Sequence, residues 1–329
     1  MAVRIGAGVG LTNMSSVDTL ASYTRDRDKY GPTKTKTVTI RFEQRLRGVL
    51  QRLNATIRKA IIEDDILNLE SGGRDTLAVE APEPFNTQSD PATTAQFLQW
   101  MRRQLENELL TVISKDENAF IRKGFVLGAA LGQEQLQEAG LELTTTEIEE
   151  LLEEDRFDTA LQELFTRSYE NLESIEEAMV PAVRNELLTG YREGIGPREM
   201  ARNITDRVDK IGKHRATLLA RTEIINAHTQ GTVNRYKQAR DEEGVDIGLR
   251  HVGRLTAQDP DVCPFCRRAS DDVFTIEEMT TTSALFRGQV YRLQPPSHPN
   301  GRCTLVPEIG VNQDDLAPLT ERVPGQLVT

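Results

Sequence analysis

Between Thr39 and Leu69 the apolar residues Phe42, Leu46, Val49, Leu50, Leu53, Ile57 and Ile61 recur every three or four positions, which marks one face of a long amphipathic helix. Ser71-Gly72-Gly73 ends that period, and prolines with small polar residues give the stretch up to Asp90 the character of a linker. Asp90-Pro91 caps a second helix carrying Phe97, Trp100, Met101 and Leu105 to about Ile113. Residues 117–139 keep the helical spacing through Phe120, Phe125, Val126, Ala129 and Leu131, with Gly128 and Gly132 as weak points. Thr144 and Glu147 form a capping box for a short acidic helix through Leu152. From Asp158 to Gly190 the pattern predicts one or two helices, broken, kinked or started at Pro181. Gly194-Ile195-Gly196-Pro197 then gives a turn and the first turn of a helix carrying Met200, Ile204 and Val208, and a separate helix is expected over about Arg215 to Arg240.

After Gly244 the period changes. Residues 245–255, 272–276 and 289–293 are short, rich in Val, Ile, Leu and Phe, and separated by turn residues, so short strands are expected there. Residues 1–39 show Gly, Ser, Thr and scattered charge without a helical period, as in an extended arm that is solvated or orders on a partner. The tail after Ile309 carries Pro318 and Pro324 and also reads as extended.

A chain of 329 residues can bury a substantial core. No apolar run approaches the roughly 18 residues of a membrane span, and the opening Met1 to Gly10 has too short an apolar region for a secretory signal, so intracellular synthesis and no membrane partner are expected. A net charge of −11 disfavours sequence-independent wrapping of nucleic acid by the whole protein. Arginine outnumbers lysine and acidic residues outnumber both together, a balance suited to a surface working in high salt, and a halophilic source is the corresponding expectation.

The chemistry concentrates between Asp259 and Val306, where all three cysteines fall. Cys263-x2-Cys266 is followed by 31 residues and then His298-x4-Cys303, two pairs of ligands of the type that tetrahedral zinc takes. Pro264 stiffens the first pair; Pro295, Pro296 and Pro299 hold His298 in an extended loop, and Gly301 lets the backbone swing Cys303 inward. Four protein ligands leave no exchangeable position, so a structural Zn2+ is expected at Cys263, Cys266, His298 and Cys303, with no catalytic residues. The competing readings are ordinary buried thiols with a surface histidine, or a redox pair, which the lack of a surrounding βαβ pattern disfavours.

Upstream, Ala220-Arg221-Thr222-Glu223 mixes polar groups into an apolar helix stripe, which by itself reads as a solvated face. The order Gly-Ile-Gly-Pro (194–197), Ala-Arg-Thr-Glu (220–223), Asp259 to Cys266 and Pro-Pro-Ser-His-Pro-Asn-Gly-Arg-Cys (295–303) resembles the phage head morphogenesis family, minor head proteins similar to protein F of phage Mu, over about residues 185–308. Family members commonly have a cysteine where this chain has Gly301, which leaves Cys303 as the fourth ligand in the loop. The resemblance implies a non-enzymatic minor capsid protein of a tailed virus, assembled in the host cytoplasm into the virion near the portal vertex and acting in head assembly or genome packaging and delivery. Its partners would be the portal protein and, further, the major capsid protein and packaged DNA. The expected fold is mainly α: an extended arm (1–39), a helical region (40–180), the helical part of the head-morphogenesis domain (181–244), a small zinc-braced module of short β-strands (245–309) and an extended tail (310–329).

Two other functions compete. A treble-clef nuclease of the His-Asn-His type would need a catalytic histidine, for which only His228 and His251 are spare nearby. A nucleic-acid-binding module would use Arg207, Lys210, Lys213, Arg215, Arg267 and Arg268 on one face. The Gly6 to Gly10 run lacks the preceding strand and following Lys-Ser/Thr of a phosphate loop.

Overall fold

The computed structural model describes residues 32–67, 91–112, 118–141, 143, 155–242, 250–257 and 259–328. The acidic helix expected at Thr144 to Leu152, most of the arm and the whole of the 71–90 linker lie outside these residues.

Helix α1 (Lys36–Ile62) buries every residue of the stripe from Phe42 to Ile61. It begins within the stretch expected to be an arm, and it stops well before Ser71 because Asp65 adopts φ 42° and Ile66 donates back to the Ala60 carbonyl at 2.9 Å, folding Ile66 and Leu67 inward. Helices α2 (Pro91–Val112) and α3 (Asn118–Glu138) keep the expected limits. Helix α4 (Asp155–Glu193) is continuous through Pro181, since Met179, Val180, Val183 and Leu187 carry one buried stripe across it. Packing of that stripe outweighs the backbone hydrogen bond that proline removes.

Helix α5 (Pro197–Glu242) runs for 46 residues, where two helices were expected. The polar stretch with Gly212 that looks like a break is a contact: a Cβ at Gly212 would stand 2.5 Å from Leu50 Cδ1 of α1. Glycines also set the seam between α3 and α5, where a Cβ on Gly128 would meet the His228 carbonyl oxygen at 1.8 Å and one on Gly231 would meet that of Phe125 at 2.1 Å. The weak points of α3 are therefore places of backbone-to-backbone approach.

Two cores share α5. Its first two thirds pack with α1 to α4, while Val233, Tyr236 and Ala239 join Leu136 of α3 and the C-terminal module. The module is built from β1 (His251–Leu255), α6 (Pro264–Ala269), β2 (Phe274–Thr275), α7 (Ile276–Thr281), β3 (Ser283–Phe286), β4 (Gln289–Arg292) and β5 (Thr304–Glu308). β2-β1-β5 form one antiparallel sheet, with Arg254 opposite Leu305, and β4, β3 and a sixth strand, β6 (Gln326–Val328), form a second in that order. Strand β6 belongs to the tail, so the segment expected to be merely extended is integral to the module. Helix α8 (Leu319–Arg322) precedes it, and Arg322, 4% exposed, fastens it by donating to the Val273 carbonyl at 2.6 Å and to Glu278 Oε1 at 2.9 Å. No helix among the described residues is long and apolar enough to cross a membrane.

Candidate metal centre

Cys263 is the N-cap of α6, in extended conformation, with Pro264 in the first turn. That geometry leaves the backbone N–H of Cys266 unsatisfied within the helix, and it donates to Cys263 Sγ at 3.2 Å, holding the two thiols on one side of the turn. Across from them, Asn300 takes the left-handed turn at φ 67°, and Gly301 N–H donates to the His298 carbonyl at 3.2 Å. Asn300, then, supplies the unusual backbone angle. Gly301 sits in a tight place, since a Cβ there would stand 3.2 Å from Pro296 Cβ.

The donor atoms of Cys263, Cys266 and His298 all lie within 4.8 Å of one another, close enough to hold a metal ion. His298 Nδ1 is 2.8 Å from the Pro299 carbonyl oxygen, which fixes Nδ1 as the protonated nitrogen and leaves Nε2 as the donor toward the thiols. Tyr291 stands edge-on to the imidazole at 6.0 Å and stacks on Phe265 at 4.5 Å, an aromatic floor beneath the cluster. Cys303 is not part of that triad; its thiol is buried and interacts with Cys266.

The Cys266 contact, then burial, pushes Cys263 up to about 12, and Cys263 followed by Cys266 raises His298 to about 10. Cys303 is drawn down to about 7, first by Cys266, with Arg254 also acting against the effect of burial. Crowded thiols competing for protons beside an imidazole form the donor set from which a divalent soft or borderline cation displaces protons.

Three polar ties, none of them legible in the spacing, hold this centre in place. Arg302 forks onto Asp259, with Nη2 to Oδ1 at 2.7 Å, joining the turn before Cys303 to the loop before Cys263; the pairing lowers the Asp259 pKa. Thr222 Oγ1 on α5 accepts from Asn300 N–H at 3.1 Å. Glu223, far from a solvated face, is 1% exposed, accepts from Asn171 Nδ2 at 2.9 Å and faces Arg167 and Arg292. Burial raises its pKa, against the pull of Arg167, Asn171 and Arg292. The Ala-Arg-Thr-Glu segment therefore joins α4, α5 and the β4 end of the module.

The residues of the competing functions are dispersed. His228 is wholly buried where α3 meets α5, and His251 is 2% exposed with Nε2 2.7 Å from Gln313 Oε1. Lys210 and Lys213 line one surface depression with Asp209, and Arg267 and Arg268 line another with Asp271 and Asp272.

A long helix carrying a buried polar latch, with a small two-sheet module built around a Cys/His cluster on its C-terminal end, defines a helical scaffold with a metal-binding-type head. Residues 181–306 match the family of phage Mu protein F-like proteins, from Pro181 within α4 to Val306 in β5, which bears out the resemblance to the phage head morphogenesis family over that segment. Comparisons with curated proteins and with solved structures give no match.

Proposed function

We propose that the protein is a minor head protein of a tailed virus that docks at the portal vertex and acts structurally in head assembly or genome packaging and delivery. The observation that carries this reading is the family match over residues 181–306, which covers α5, the latch at Thr222 and Glu223, and the metal centre as one continuous unit. In this reading Cys263, Cys266, His298 and Cys303 hold a structural Zn2+, which supplies a rigid brace and no catalytic step. The donor chemistry supports it: Cys3His is a closed tetrahedral set, and His298 already has its tautomer fixed by Pro299. Portal protein is the proposed partner, with major capsid protein and packaged DNA as further contacts, and the virion is the proposed location. The burial of His228 and His251 favours this over a nuclease, since neither is exposed to activate water at a second metal.

Two measurements test it. Protein prepared without chelator should carry one zinc per chain. The protein should also co-purify with portal rings when the two are co-expressed; failure to associate with portal under any assembly condition would remove the docking role while leaving the metal centre standing.

A further inference from the structure

Arg254 in β1 is 1% exposed, and no carboxylate among the described residues pairs with it. Its Nη1 donates to Ser297 Oγ at 2.6 Å and lies 3.5 Å from Cys266 Sγ, while Nε and Nη2 have no hydrogen-bond partner. The guanidinium carbon sits 5.8 Å from the Phe265 ring centroid. An isolated buried cation is costly unless an anion neutralises it. The nearest group that can become anionic is the Cys266 thiol, with which Nη1 is in contact. A divalent cation with three thiolates and a neutral imidazole carries a net charge of −1, which one guanidinium cancels.

Placement supports the same assignment. The β1–β5 ladder sets Arg254 opposite Leu305, two residues beyond Cys303, so its position is fixed by the sheet and not by the loops. A single nitrogen meets Cys266 from the knuckle and Ser297 from the residue before His298, and so joins the two halves of the centre. We infer that Arg254 is a positioning residue of the metal centre, which neutralises its thiolates and holds the His298 loop against the Cys263–Cys266 knuckle. This rests on the metal reading above.

The test is metal binding by the full-length protein, using Zn2+ in competition with a chromophoric chelator and Co2+ followed by its thiolate charge-transfer band. Wild type should bind one equivalent of each. R254M, which keeps bulk and loses charge, should bind about 10- to 100-fold more weakly, and its charge-transfer band should move to lower energy because a thiolate without an N–H donor gives up electron density more readily. R254K should stay within a few-fold of wild type with an unshifted band, a rescue that a purely packing role would not produce. Wild-type protein that binds neither ion removes the metal centre itself. Wild type that binds while R254M matches it in affinity and band position overturns the role of Arg254 alone. Should R254M fail to fold, R254K decides: retention of metal supports the assignment, and a loss of tenfold or more overturns it.

Discussion

At the scale of single residues, the buried carboxyl of Glu308 is the clearest source of pH dependence outside the Cys/His cluster. It is 2% exposed, its Oε1 has no hydrogen-bond partner, and Gly253 leaves the room it occupies, since a Cβ there would stand 2.8 Å from that oxygen. Burial raises its pKa from 4.5 to about 7. The folded state therefore keeps this proton over a range in which the unfolded chain has lost it. Its contribution to stability is full below about pH 4.5 and disappears as pH rises through about 7. Above that range the buried charge costs on the order of 3 kcal/mol. Glu308→Gln should raise stability at pH 8 and flatten the slope between pH 5 and 8 in urea unfolding; an unchanged slope would show that the carboxyl is not buried as charge. Asp259→Asn acts in the other direction. Asp259 has a lowered pKa, so its tie to Arg302 is present at neutral pH and lost on acidification through the folded pKa. That variant should release metal faster to chelator at pH 7 than wild type does, and equal release rates would dismiss the tie as a brace. The ligand types could be read from spacing, because coordination needs only a few residue kinds at fixed intervals; Arg254 and Glu308 could not, because a buried arginine or glutamate looks in sequence like any surface charge.

At the scale of elements, the α3–α5 seam depends on missing side chains. Gly128→Ala would place a methyl 1.8 Å from the His228 carbonyl oxygen, so the helices must separate. A loss of about 3 kcal/mol in denaturant unfolding is expected, whereas Gly48→Ala in α1, with nothing nearer than Arg52 Nη1 at 3.8 Å, should be neutral or slightly stabilising. Similar losses for the two variants would mean that helix propensity, and not close approach, governs both. Gly212 and Pro181 carry the local signature of a break, yet both lie inside continuous helices. A break is a local preference of about 1 to 3 kcal/mol, and Leu50 against Gly212, or Met179 and Val183 around Pro181, adds packing that no window of sequence contains.

For the molecule as a whole, the metal centre and the tail should stand or fall together. Cys266→Ser, or removal of metal by chelator, should open residues 250–308 to protease and release β6 with them, because β6 is held by β3 and Arg322. Helices α1 to α4, which form a separate core on α5, should stay resistant. Unchanged resistance of the module would contradict a bracing metal. The sequence by itself determined the helical stripe of α1, the change from helical to strand-like period after Gly244 and the Cys263, Cys266 and His298 cluster, because periodicity and the chemistry of thiols and imidazoles are written in residue types at short range. Tertiary structure alone decided that α5 is one helix serving two cores, that the tail completes a sheet, and that Glu223 and Arg254 are buried joints. Each of those depends on which distant segment covers a residue, and burial changes the energetic meaning of a charge or a glycine without changing its letter.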